Sequence, residues 1–195
     1  MPELSGAADR SGEFPLIEAR AEDAGPIARL HVESWRATYA NELSPSFLAG
    51  RDPEAQAASW RRELESGVLV LLARHVGDLV GFVACGPPRG DSAGPSEWEI
   101  YNLHVAPQWK RRGLGSRLFE AAARRGIDRS ARDLILWVVE TNRPARAFYE
   151  RTGMRCDGGR QEHSVGPGES LIEVRYRMSL PARVEPGSRP AERGA

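Results

Sequence analysis

The sequence predicts an α/β chain, one domain in which strands and helices are mixed along the whole length. Three observations carry this. Apolar runs of strand length, such as residues 134–139, alternate with segments of helical period. The strand-like run 99–105 passes through a basic, glycine-bearing turn straight into the helical run 117–123. The 195 residues, 41% of them hydrophobic, suit one compact core.

The elements follow in order. Residues 1–14, rich in Gly, Ser and charge, read as a disordered leader, and 181–195 as a similar tail, leaving 15–180 as the domain. Residues 16–20 form a short first strand. Asp23 is placed to cap a helix over 24–40, with Ile27, Leu30, Ser34 and Trp35 along one side. Asp52-Pro53 starts a second helix, with Asp as cap and Pro at the first position, and Gly67 stops it. Strands 68–75 and 79–85 flank Gly77-Asp78 as a hairpin. A polar loop fills 87–95, and the fourth strand covers 98–105. A helix over 114–129, a strand over 133–139 and a helix over 144–151 follow, the last stopped by Gly153. Strands 155–164 and 170–180 close the chain around Gly166-Pro167-Gly168. The order is β-α-α-β-β-β-α-β-α-β-β, without internal repeat.

Lys+Arg and Asp+Glu are equal at 27 each, so nothing argues for a nucleic-acid surface. The longest apolar run, 68–73, is far short of the ~20 residues a membrane helix needs. The first residues hold Glu3, Asp9 and Glu13 and no apolar core, unlike a signal peptide. The expected location is the cytoplasm, with Cys85 and Cys156 as two unpaired thiols. His31, His75, His104 and His163 show no metal-ligand spacing, so no metal is expected.

The chemistry concentrates at Lys110-Arg111-Arg112-Gly113-Leu114-Gly115-Ser116. A strand-to-helix turn presents free backbone N–H groups at a helix N-terminus, where the dipole favours anions. Glycines let the backbone approach a phosphate closely, and Arg111 and Arg112 add positive charge. The spacing fits neither the P-loop nor the dinucleotide fingerprint.

The segment resembles motif A of the GNAT superfamily of N-acetyltransferases, Arg/Gln-x-x-Gly-x-Gly/Ala, with Lys110 at the first position. After one further helix the strand 134–139 runs into Asn142-x-x-Ala145-x-x-Phe148-Tyr149-Glu150-x-x-Gly153-Met154. This resembles motif B, with Met154 for the usual Phe. The resemblance spans about residues 15 to 180. It implies a single mixed, twisted sheet of about seven strands, with helices on both faces, splayed between the fourth and fifth strands. It implies acetyl-CoA as cosubstrate, its pyrophosphate on residues 110–116, and its pantetheine along the main chain of Leu103, His104 and Val105 with help from Asn142. Asn142 is also placed to cap the helix that follows.

Acetyl transfer to an amine needs a base for the ammonium and an acid for the leaving thiolate. Glu99 lies six residues before Val105, where several GNAT enzymes carry a glutamate. Strict alternation would put it on one face with Tyr101, Leu103 and Val105, and His104 opposite. The resemblance puts Tyr149 at the general-acid position. Glu140 is a weaker candidate for the base. Enzymes of the family that acetylate ribosomal proteins carry an acid where this chain has Trp137. The acceptor, a small-molecule or peptide amine, is expected between Trp35, Arg36, Tyr39 and Phe47 on one wall and Trp98, Glu162 and His163 on the other, with Trp35 and Tyr39 foremost. Homodimers are frequent in the family. The alternative is a catalytically silent domain of the same fold, an acyl-CoA-binding sensor or an assembly domain, which would not require both Glu99 and Tyr149.

Overall fold

The structure, a computed structural model, describes residues 14–89, 94 and 96–183. The expected leader up to residue 13, the tail beyond 183 and the centre of the loop 87–95 lie outside these residues. Phe14, counted with the leader, is buried and packs edge-on against Trp109.

Seven strands form one sheet in the order β1-β2-β3-β4-β5-β7-β6. β1 (Leu16–Glu18), β2 (Leu69–His75), β3 (Asp78–Gly86) and β4 (Glu97–Val105) pair antiparallel. β4 then pairs in parallel with β5 (Asp133–Val139), and β7 (Glu169–Ser179) and β6 (Arg155–Gly166) complete the sheet antiparallel. A parallel pair needs a crossover, supplied by α4 (Leu114–Asp128). α4 covers one face of the sheet over Leu71, Val83, Ile100, Leu134 and Leu136. α1 (Ala24–Thr38) and α3 (Pro53–Glu65) cover the other over Val70, Leu72 and Phe82. Because both faces are covered, β2 and β3 read as continuous apolar runs rather than alternating ones. α5 (Arg143–Arg151) follows β5.

Local signals explain most boundaries. The Asp52 carboxylate accepts from the N–H groups of Glu54 and Ala55 at 3.1 and 3.0 Å, with Pro53 at the first helical position. Gly67 and Gly153 leave their helices at φ +88° and +92°. Three details differ from the sequence reading. Asp23 stands at the N-cap position of α1, but its side chain makes no cap hydrogen bond there; it ends a 3-10 turn, accepts from the Arg20 N–H and pairs with Arg74. The hairpin turns at Val76-Gly77, both at positive φ, one residue earlier than expected, with His75 opposite Asp78. A further helix, α2 (Pro45–Gly50), is capped by Ser44; six residues are too few to show a period.

Two irregularities of β4 position the site. The β4–β5 ladder runs only from Glu97 opposite Asp133 to Ile100 opposite Leu136. Residues 101–105 therefore have no strand partner on that side among the described residues, which is the splay the resemblance implied. On the β3 side, Ala84 faces Asn102 but Cys85 faces Ile100, so Tyr101 is an extra residue, a β-bulge. Alternation breaks there. Trp98 and Ile100 before it, and Leu103 and Val105 after it, all pack on the α4 side. Glu99 consequently does not share a face with Leu103 and Val105. It shares one with Asn102 and His104, toward α1 and α3.

Candidate active site

At the turn, Lys110, Arg111, Arg112 and Gly113 are exposed, and the Arg112 guanidinium lies 4.8 Å over the Trp109 ring. Arg111 and Gly113 take φ +62° and +83°, two left-handed residues that reverse the chain into α4. Leu114, 1% exposed, anchors the first turn in the core. The first helical hydrogen bond runs from the Arg117 N–H to the Gly113 carbonyl at 3.1 Å. The N–H groups of Leu114, Gly115 and Ser116 thus have no partner within the helix, and Gly113 offers no capping side chain. A Cβ at Gly115 would sit 3.6 Å from the Phe148 ring and 4.0 Å from Val105. The start of α4, the end of β4 and α5 therefore meet at Gly115.

On α5, the Asn142 side-chain oxygen accepts from the Ala145 N–H at 3.2 Å, a true cap. The Asn142 side chain also lies near enough to the Tyr39 phenol to oppose in part the rise that burial gives its pKa. Tyr149 is buried among Phe148, Tyr176 and Phe119, with ring centroids 5.3, 6.2 and 6.4 Å away. Burial, with the nearby Tyr39, pushes its phenol well above the ordinary range, so it holds its proton at neutral pH.

On the other side of the strand, Glu99 is 6% exposed, and its carboxylate accepts from the Arg89 N–H at 2.7 Å. Burial raises its pKa; the Arg89 hydrogen bond and charge oppose this, and Glu173 and Glu97 reinforce it. The Arg89 backbone thus links Glu99 to a cavity of about 260 Å³. The cavity is lined by His31 and Trp35 of α1, Arg51, residues of α3 including Trp60 and Glu63, Arg89, Asn102, and 163–165 of β6. His104 packs on His31 at 4.8 Å and on Phe82 at 5.2 Å. Burial, then the Lys110 charge, lowers His104 to about 4 and leaves it neutral.

Of the side chains expected at the acceptor, Trp35 and His163 line this cavity. Tyr39 meets the Trp35 ring edge-on at 4.9 Å and lies near Asn142, so it joins the cavity to the α5 side. Arg36 is spent on the carbonyls of Leu48, Ala49 and Arg51. Phe47 packs beside Gly166. Trp98 lies on the opposite face against Gly126. Glu162 accepts from the Ser170 hydroxyl, and Glu140 pairs with Arg160. Cys85, buried, and Cys156, exposed, are both free, and burial pushes the Cys85 thiol up to about 11. Sequence reasoning missed His31, Arg51, Trp60, Glu63, Arg89 and Asn102. The one available signal was the position of Arg51 just before the Asp52 cap.

Residues 29–154 match the acetyltransferase (GNAT) family. A probable N-acetyltransferase of Mycobacterium tuberculosis is 29% identical over 163 residues, covering 82% of this chain and 90% of its own. An uncharacterized N-acetyltransferase of Archaeoglobus fulgidus is 30% identical over 150 residues, covering 72% and 92%. Among solved structures, the PaiA N-acetyltransferase of Thermoplasma acidophilum in complex with coenzyme A superposes with a TM-score of 0.64 at 18% identity, covering 86% of this chain and 99% of that one.

Proposed function

The chain belongs to the GNAT acetyltransferase family and is an N-acetyltransferase; from that premise we propose that it moves the acetyl group of acetyl-CoA to a primary amine by direct transfer in a ternary complex. The observation that carries the reading is the β4–β5 ladder ending after Ile100, beside the uncapped N-terminus of α4. The pyrophosphate seats on the N–H groups of Leu114, Gly115 and Ser116, with Lys110, Arg111 and Arg112 supplying charge. The pantetheine arm lies along residues 103–105, replacing the missing strand partner, with Leu103 and Val105 offering backbone groups and Asn142 reaching it from α5. The same backbone donors face the thioester oxygen as it becomes an oxyanion.

The amine enters from the cavity side. Glu99 takes its proton through a water, and the raised pKa of a buried carboxylate suits a base. The amine nitrogen forms a bond to the carbonyl carbon, the C–S bond breaks, and the thiolate takes a proton from Tyr149. No covalent intermediate on the enzyme is involved. The bulge at Tyr101 supports this division of labour: it presents the carboxylate to the acceptor face and returns Leu103 and Val105 to the other. The test is a screen of purified protein with acetyl-CoA and a panel of primary amines, reading thiol release. Turnover of at least one amine is expected. Acetyl-CoA binding without turnover of any would mean a sensor domain instead.

A further inference from the structure

Building on the acetyltransferase reading, we infer that the acceptor is a small amine that also carries a carboxylate, and that Arg51, with His31, receives that carboxylate. Arg51 lies between α2 and α3 in the cavity wall. Its guanidinium stacks 4.1 Å over the Trp35 ring and donates to Gln56 at 3.1 Å, and its carbonyl is held by Arg36 at 2.9 Å. The group is therefore fixed rather than loose. Among the described residues it forms no ion pair, and its Nε is buried without a hydrogen-bond partner. The other cation of the cavity, Arg89, is matched by Glu63.

A second donor lines the same cavity. His31 is 7% exposed, and its Nδ1 accepts from the Trp60 indole N–H at 3.2 Å. That bond places the remaining ring proton on Nε2. His31 Nε2 is also buried without a partner among the described residues. Burial, His104 and Arg51 together hold the ring down at about 2, so it acts as a neutral donor.

Two buried N–H donors without acceptors, one on an unpaired guanidinium, call for an anionic oxygen group. The fork of Arg matches a carboxylate, and the Trp35 ring shields the pair from water. Glu99, reached through Arg89, supplies the opposite charge. A molecule with a carboxylate at one end and an amine at the other is thus oriented with its amine toward the base. A cavity of about 260 Å³ suits a free amino acid rather than a folded protein surface.

Matched acceptors decide the matter: phenylalanine against phenethylamine, lysine against cadaverine, β-alanine against ethylamine, 4-aminobutyrate against propylamine. With full-length protein and acetyl-CoA, the acid of at least one pair should show a kcat/KM ten or more times that of its amine. Arg51→Met should raise KM for that acid at least tenfold, leave kcat and the acetyl-CoA constant within twofold, and be partly rescued by Arg51→Lys. Amines matching or exceeding their acids in every pair, or an unchanged ratio in Arg51→Met, would overturn the assignment. If acetyl-CoA binds but no acceptor releases thiol, the catalytic reading fails by itself. Tryptophan quenching then tests the subsite, comparing N-acetylated acids with N-acetylated amines. An acid preference lost in Arg51→Met supports it, and equal binding overturns it.

Discussion

The turn at residues 110–116 and the cavity behind Trp35 flank the same strand but are made of opposite materials. The turn is contiguous in sequence, exposed over residues 110–113, and on the proposed reading works through backbone N–H groups. The cavity is lined by side chains drawn from His31 to Val165, of which His31 and Trp60 are buried. Backbone recognition requires only the right dihedrals and the absence of side chains, so on the proposed reading Gly113 and Gly115 would be enough to write it locally, with Lys110 standing where Arg or Gln is usual. Side-chain recognition requires convergence of distant segments. The same fold can therefore keep the first and rewrite the second.

The largest test of this contrast lies between the two regions. Tyr149→Phe keeps the ring and its packing against Phe148 and removes only the proton donor. We expect kcat to fall about 10²–10⁴-fold with acetyl-CoA binding nearly unchanged. A variant keeping more than half of the wild-type kcat would make the phenol a packing group.

Next in size is the effect of pH. A base must be deprotonated, so the rate falls as pH drops through its pKa; burial raises that of Glu99, placing the acid limb of kcat/KM above the ordinary glutamate value of 4.5. Glu99→Gln should abolish the limb, and persistence of the limb in that variant would assign it elsewhere. Gly115→Val follows. Its Cβ is tolerated beside Phe148, but its methyl groups reach the proposed pyrophosphate path. Calorimetry should show acetyl-CoA weakened more than tenfold, about 1.4 kcal/mol or more. Wild-type affinity in the folded variant would remove the turn from the site.

The smallest effect sharpens the boundary between the regions. Trp35→Ala should shift acceptor KM severalfold and leave acetyl-CoA affinity within about twofold, because Trp35 lines the cavity. Tyr39→Phe removes the phenol that lies beside Asn142 and should move both constants. Identical profiles for the two variants would erase the distinction drawn between them.

What was legible in the sequence follows the same division. Asp52-Pro53, Gly67 and Gly153 announce helix ends because capping and positive φ act within a few residues. The turn and the Asn142 segment are likewise local. The bulge was not legible, since nothing in Glu99-Ile100-Tyr101-Asn102 marks it; it exists only in the register against Ala84 and Cys85. Strict alternation therefore put Glu99 on the wrong face. The roles of Arg51 and His31 were hidden for another reason. Each is unremarkable in its own segment and gains meaning only from Trp35 and Trp60 beside it.

The extra residue in β4 makes the strand a matter of parity. An even count between Glu99 and Leu103 would ordinarily send both side chains the same way; the bulge turns even into odd. No substitution can undo that arithmetic, whereas losing or gaining a single residue between positions 99 and 103 reverses it. Such a change would send the carboxylate to the wrong side of the sheet while leaving every functional residue present. Along this strand it is the length between positions 99 and 103, more than the composition, that sets which face each side chain takes.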